Sequence, residues 1–330
     1  VGRLIAHLTG DDPSSRFLAI VGPSGCGKSS VIRAGLFPAL RAGAVPGSDR
    51  WLGAVLMPGS HPLDELAIAL RRALPLNDVD IHDEITRDSR GLLRLIKQGL
   101  PDDAKVEFVL VIDQFEELFS LVGDEGERRH GLDSLLAALE DPHSRMRLII
   151  SLRADFYDKP LLYPALGNWM RQCTDVVLPL SPEELERAIA GPAERAGVQV
   201  EAALITTIVA DVNERPGALP LLQYALTELF ERRDNDQLTL AAYQASGGVR
   251  GALAARAEAL YKTLQPAAQE VAQQVFLRLV QLGEGTEDTR QRVPWTEIVA
   301  AAGNGTGASK VVDRFYQASV ARRRLQSAHR

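Results

Sequence analysis

The stretch Phe17-Leu18-Ala19-Ile20-Val21-Gly22-Pro23-Ser24-Gly25-Cys26-Gly27-Lys28-Ser29-Ser30 constrains the fold of this chain more than any other. It reads as a buried strand, a glycine-rich loop and the start of a helix. Gly22, Gly27, Lys28 and Ser29 fit the spacing G-x-x-x-x-G-K-[ST]. A triphosphate needs a concave ring of backbone N–H groups, and residues without a Cβ let the chain curl closely enough to make one. Gly22, Gly25 and Gly27 supply that freedom, and Ser24, Cys26 and Ser30 complete the candidate nucleotide-binding segment. A helix opening near Lys28 directs its N-terminal N–H groups and positive dipole end at the phosphates. Lys28 is then placed to reach the β- and γ-phosphates, and the Ser29 hydroxyl to ligate Mg²⁺. The alternative is a chance match in a glycine-rich turn, and the strand before and helix after make it rarer. ATP/ADP with Mg²⁺ is the expected cofactor set.

A chain of 330 residues exceeds one core and suits two or three domains. The formal net charge of −6 and pI near 5.6 count against a general nucleic-acid-binding surface, though not against a local basic patch. Of the two cysteines, Cys26 lies in the glycine-rich loop, where a disulfide would be disruptive, so a reducing, cytoplasmic setting is expected. No run reaches the length of a membrane span and no signal peptide is visible. The start at Val1-Gly2-Arg3 without Met, and the basic Ala321-Arg322-Arg323-Arg324 near the end, read as a piece of a longer protein.

Five short apolar runs have the character of buried parallel strands: Phe17–Val21, Trp51–Met57, Val106–Ile112, Arg147–Leu152 and Asp175–Leu180. Residues 1–10 suggest a short helix. Helical patterns separate the runs, with Leu63, Leu66, Ala67 and Leu70 on one apolar face and Leu132, Leu135, Leu136 and Leu139 on another. Alternating strand and helix imply a doubly wound parallel sheet of α/β type. By analogy with P-loop proteins that insert an extra strand, one is expected between the first and third strands. After Leu180 the strands stop. Ser181-Pro182-Glu183-Glu184 has the form of a helix start, and helices are expected over Ala202–Val212 and Leu219–Arg232. From about Gly251 come two helical stretches, a polar segment Gly283–Arg292, a further possible helix Trp295–Ala302 and a flexible loop Gly303–Gly307; Gly303–Ser309 and the basic tail are the segments closest to disorder.

The second informative stretch is Val109-Leu110-Val111-Ile112-Asp113-Gln114-Phe115-Glu116-Glu117-Leu118-Phe119. A hydrophobic strand ending in Asp is what a P-loop enzyme uses to hold Mg²⁺ from behind its ligands, which assigns Asp113 that role beside Ser29. Many P-loop ATPases place Glu next as the base for the attacking water. Here Gln114 stands there, and an amide orients water but accepts no proton. Glu116 and Glu117 follow within one turn, and either can act instead. The competing reading is an exposed pair that favours a helix N-terminus.

Four motifs in order, G-P-S-G-C-G-K-S-S from Gly22, D-Q-F-E-E-L-F from Asp113, Ser151-Leu152-Arg153-Ala154-Asp155-Phe156-Tyr157 and Ala218-Leu219-Pro220-Leu221-Leu222-Gln223-Tyr224-Ala225-Leu226, resemble the novel STAND NTPase group of bacterial signal-transduction ATPases. The resemblance covers nearly the whole chain, with Gly191–Gly197 and Gly247–Leu253 adding weaker matches. It implies a P-loop nucleotide-binding domain over 1–180, a helical lid over 181–250, and a winged-helix-like domain over 251–330, which is expected to be truncated. It also implies an ATP/ADP switch with slow hydrolysis and self-association in the ATP state. The full-length protein would carry a flanking effector and a sensor built of WD-type propeller or other repeats. The resemblance makes Arg153 a γ-phosphate sensor, against a salt bridge with Asp155 or Asp158. It puts Pro220, in Gly217-Ala218-Leu219-Pro220, against the adenine, against a plain helix start. Gly2 and Arg3 match a segment that frames the base. Arg290 or Arg292 would turn back to the phosphates, against being merely solvated. The six scattered histidines form no metal spacing. Two other classes compete: a constitutive AAA-type ATPase acting on DNA through its winged helix, and a small-molecule kinase. The acidic balance counts against the first, and the length taken up by lid-like helices against the second.

Overall fold

The structure, a computed structural model, describes residues 1–10, 12–213, 217–233, 235–281, 289–290, 293, 295–301 and 307–315. The chain divides into two compact units, residues 1–185 with 212–220 and residues 186–211 with 221–330.

In the first unit all five apolar runs become strands: β1 (Phe17–Gly22), β2 (Leu52–Leu56), β3 (Phe108–Ile112), β4 (Met146–Arg153) and β5 (Thr174–Val176). Every ladder is parallel and the order is β2-β3-β4-β1-β5. β4 therefore lies between β1 and β3, as expected of the inserted strand. Side chains alternate between the two faces of each strand, so the sheet has two apolar layers. Ala19, Leu110, Ile112, Leu148 and Ile150 face helices Pro62–Ala73, Gly91–Gly99 and Glu125–Glu140, which contribute Leu63, Leu66, Leu70, Ile96, Leu132, Leu135 and Leu139. Leu136 packs at the rim, half-buried. Leu18, Ile20, Val109, Val111 and Ile149 face Leu4 and Leu8 of helix Gly2–Leu8 and Ile32, Leu36 and Leu40 beyond the glycine-rich loop. Arg147 fastens the lower edge: its guanidinium pairs with Glu107, donates to Leu8 O at 2.8 Å, and lies over the Trp51 ring.

Two strands differ from expectation. β5 ends at Val176 rather than Leu180, because its partner β1 runs out at Gly22. Val177 N–H still donates to Val21 O at 2.8 Å, and beyond it Leu178 is 69% exposed. β2 pairs with β3 alone and is only half-buried. Leu52 N–H donates to Glu107 O and Leu56 O accepts from Asp113 N–H, so by the parallel pattern the backbones of Gly53 and Val55 face away from the ladder. This edge floors a cavity of about 560 Å³ whose walls include Arg33, Ile68, Arg72 and Glu117.

Helix Pro182–Arg195 opens with the expected box: Ser181 Oγ accepts from Glu184 N–H at 3.2 Å, and Glu184 Oε2 from Ser181 N–H at 2.9 Å. Helices Ala202–Asn213, Leu219–Glu231, Leu240–Ala245, Gly248–Lys262, Pro266–Arg278 and Trp295–Ala301 follow. In the second unit Val280–Gln281 pairs antiparallel with Thr289–Arg290, and Leu264, Ala272, Val275, Ile298, Ala308 and Val311 are buried. Most of the Gly283–Arg292 segment, residues 302–306 and the basic tail lie outside the described residues. Gly307–Ser309, expected in a flexible stretch, are helical, because Ala308 is fully buried beside Val275 and Ile298. No helix among the described residues is long and apolar enough to cross a membrane.

Leu110 is fully buried at the middle of β3. Leu110→Ala should lower stability by about 2–5 kcal/mol, read as a fall in the urea midpoint of the first unit; an unchanged midpoint would contradict this packing.

Candidate nucleotide-binding site

β1 delivers the chain into a tight loop at Gly22. A Cβ there would lie 2.5 Å from Val177 O and 2.8 Å from Cys26 Sγ, so no side chain fits. Gly25 and Gly27 have φ of +73° and +99°, the left-handed region that L side chains rarely adopt. Lys28 is buried, and its ammonium donates to Gly22 O at 2.8 Å and Pro23 O at 2.9 Å across the mouth of the loop. Ser24 and Ser30 are exposed. Cys26 is 5% exposed, and its thiol lies 4.0 Å from the Lys28 ammonium. Helix Lys28–Ser30 passes directly into a π-helical turn, Val31–Leu36, closed by Phe37 N–H on Ile32 O, and then into helix Phe37–Arg41.

Ser29 and Asp113 are far apart in sequence, and the β1–β4–β3 order brings them together. Ser29 Oγ donates to Asp113 Oδ1 at 2.9 Å. The same Oδ1 accepts from Ser151 Oγ of β4 at 2.6 Å, and Oδ2 from Arg33 Nη2 at 3.2 Å. Sequence reasoning assigned no role to Ser151 or Arg33. Ser151 opens the stretch Ser151–Tyr157, and a polar residue one position before the end of the run Arg147–Leu152 is the available signal. Arg33 had none beyond its place four residues after Ser29.

Beyond Asp113 the chain turns sharply. Gln114 adopts φ +58°, unusual for a residue with a side chain. Ser151 secures the turn: its Oγ accepts from Gln114 N–H at 3.0 Å and its carbonyl from Phe115 N–H at 2.8 Å. Phe115 is thereby driven into the core while Gln114 is exposed, with its Nε2 on Met57 Sδ. The next two carboxylates diverge. Glu116 is buried, and its Oε2 accepts from Arg153 N–H at 3.3 Å. Burial pushes the Glu116 carboxyl above the usual carboxylate range. Hydrogen bonds from its own and the Arg153 backbone, and the charges of Lys28 and Arg153, draw it partway back. Glu117 is half-buried and turns to the β2 side, where its Oε2 accepts from Gly59 N–H at 3.1 Å. The exposed-pair reading therefore fails for Glu116.

Arg153 forms a two-pronged pair with Asp155, at 3.0 and 2.5 Å, and stacks near Phe156. That pair holds the Asp155 carboxyl below its ordinary range. Within the first unit, the Gly217–Pro220 segment touches the glycine-rich loop itself: a Cβ on Gly25 would meet Gly217 O at 2.8 Å and Pro220 Cδ at 3.2 Å. Arg3 pairs at 3.1 Å with Asp175 on the surface. Arg290 lies in a short strand and Arg292 outside the described residues. Among the described residues no three His, Cys, Asp or Glu side chains cluster as a metal site.

These residues fit a nucleotide with Mg²⁺: a cradle where a Cβ would clash, a buried ammonium, and a hydroxyl–carboxylate pair of hard oxygen donors. A parallel sheet with this loop on β1, an acid-tipped β3 and β4 between them defines a P-loop NTPase. The family model Novel STAND NTPase 1 matches residues 1–329, and the chain belongs to that family. No curated protein matches the chain. Two solved structures share the fold. The Aeropyrum pernix ORC1 protein in complex with DNA is 16% identical, with TM-score 0.56, covering 96% of this chain and 81% of that one. The Aeropyrum pernix ORC2 protein, solved as ADPNP–ADP complexes, is 14% identical, with TM-score 0.53, covering 94% and 91%.

Ser151→Ala removes the acceptor of Gln114 N–H and a donor to Asp113 together. It should cost about 1–3 kcal/mol of stability and weaken Mg²⁺-dependent nucleotide binding; a variant with the parent's melting temperature and affinity would contradict the role of Ser151 as the clamp of this turn.

Proposed function

We propose that this chain is the ATP/ADP-dependent switch module of a larger signal-transduction protein. It binds nucleotide with Mg²⁺, hydrolyses ATP slowly, and controls self-association by its nucleotide state. The observation that carries the reading is the convergence of Lys28, the Ser29–Asp113 pair and the buried Glu116 at the carboxyl ends of β1, β3 and β4. Gly22, Ser24, Gly25, Cys26, Gly27 and Ser30 cradle phosphates with backbone N–H groups, and Lys28 neutralises them. Ser29 and Asp113 hold Mg²⁺, which shields phosphate charge when bound. Glu116 is the general base, because burial raises its proton affinity towards the working range while Glu117 is engaged with Gly59. Gln114 in the position next to Asp113 accounts for slow turnover. Arg153 serves as the γ-phosphate sensor by exchanging Asp155 for phosphate oxygens. Glu116 accepts from the backbone of the same residue, which links sensing to the base.

The switch reading is supported by the contact of Gly217 and Pro220 with the glycine-rich loop. In it, residues 181–250 act as a helical lid and 251–330 as a winged-helix-like unit, for which the strand pair 280–281/289–290 among helices is the supporting feature. The partners are nucleotide, further copies of the protein, and flanking effector and sensor domains. A DNA-acting ATPase is the second reading, favoured by the fold shared with ORC1, a protein solved with DNA, and opposed by the net charge of −6.

Lys28→Ala should lower ATP and ADP affinity at least about tenfold by calorimetric titration. Glu116→Gln should keep affinity and slow turnover by roughly 10², while Glu117→Gln does not. In the parent, hydrolysis should fall as pH drops through the raised Glu116 value, where the base becomes protonated, and Glu116→Gln should lose that limb. Equal turnover in both variants would move the base elsewhere.

Leu219→Ala with Pro220→Ala should accelerate ADP release and expand the ADP-bound fragment in small-angle scattering. Unchanged release and dimensions would leave a simple ATPase without a gate.

A further inference from the structure

Asp113 is held by a cation as well as by hydroxyls. Its side chain is 3% exposed, so its charge is desolvated and needs compensation. Both hydroxyl donors, Ser29 and Ser151, go to Oδ1. The cation of the loop, Lys28, is turned to the carbonyls of Gly22 and Pro23. Oδ2 is taken by Arg33, at 3.2 Å, and this is the ion pair that Asp113 makes among the described residues. Arg33 sits in the π-helical turn directly behind the glycine-rich loop, a widened turn that often marks functional positions. Its side chain is 53% exposed and borders the 560 Å³ cavity along β2, so it has room to leave Asp113 without breaking the core.

We propose that Arg33 is the resident counter-cation of Asp113, and that it sets how much Mg²⁺ the site requires. The proposal rests on Ser29 and Asp113 holding Mg²⁺. A guanidinium on Oδ2 satisfies the same carboxylate that stands behind the metal, and its positive charge repels a divalent ion drawn to Ser29. Mg²⁺ binding and the Arg33–Asp113 pair therefore oppose each other, and Arg33 swings toward the cavity as the metal is taken up. The mutual repulsion makes Arg33 a tuning residue that acts through Asp113, distinct from the groups that touch nucleotide.

The test is a Mg²⁺ titration of binding to a fluorescent ADP analogue, with affinity in EDTA measured alongside. Arg33→Gln retains a donor but removes the charge, and should lower the Mg²⁺ midpoint by about fivefold or more while leaving the EDTA affinity within about twofold. Arg33→Lys keeps the charge and should stay near the parent midpoint. An Arg33→Gln midpoint equal to or above the parent's overturns the proposal and makes Arg33 a support for Asp113 geometry. A parent whose binding ignores Mg²⁺ overturns the Ser29–Asp113 metal reading itself, and this inference with it. Melting temperatures guard against a folding artefact: Arg33→Gln leaves the buried Asp113 without its cation and should melt below the parent in EDTA, with saturating Mg²⁺ raising its melting temperature by more than it raises the parent's, whereas Arg33→Lys should melt near the parent; a fall in Arg33→Gln that Mg²⁺ does not recover means that the pair is structural and sinks the tuning role.

Discussion

A carboxylate sealed from water at the tip of a central strand must be matched by donors from its neighbours, and Asp113 dictates much of what surrounds it. Burying an unpaired charge costs far more than most single contacts return. Three side chains answer it: the helical segment after the glycine-rich loop sends Ser29 and Arg33, and β4 sends Ser151. Those donors converge only because β4 lies between β1 and β3. The strand order is thus tied to the chemistry at its carboxyl end. A sheet with β1 directly beside β3 would have no β4 hydroxyl in reach.

Ser151 also illustrates how backbone conformation can be held by one side chain. A non-glycine residue in the left-handed region costs of order 1 kcal/mol or more. The hydroxyl and carbonyl of one β4 residue take the two amide protons released by that turn. The result is a change of direction within a single residue: Phe115 goes to the core, and Glu116 reaches the backbone of Arg153. Glu116 and Arg153 are consequently parts of one hydrogen-bonded corner rather than separate features.

Much of this was legible in the sequence, and the limits have physical reasons. The glycine-rich loop announces itself because its geometry excludes side chains at Gly22 and left-handed backbone favours glycine at Gly25 and Gly27. β1 and β3 announce themselves as uninterrupted apolar runs, because both of their faces are covered. The capping box at Ser181 is local, and local signals survive translation into structure. Non-local matters were hidden. Nothing in a linear reading distinguishes Glu116 from Glu117, since their divergence depends on the turn at Gln114 and on a bond from β4. Arg33 and Ser151 matter through a carboxylate some 80 and 38 positions distant in the chain. The end of β5 is decided by the length of β1, and not by the hydrophobicity of Val177 and Leu178.

The margin of β2 bears on what can pair with the sheet. A strand with unpaired amides is a template on which another chain can crystallise its own backbone, and open parallel sheets carry that hazard at each border. Here the margin is sunk between helix Pro62–Ala73 and the Arg33 side chain, with glycine at one of its two outward positions. A flat neighbouring sheet cannot descend into such a trench, whereas a single slender segment can. The walls of the recess thus set the width of anything that could pair with this edge.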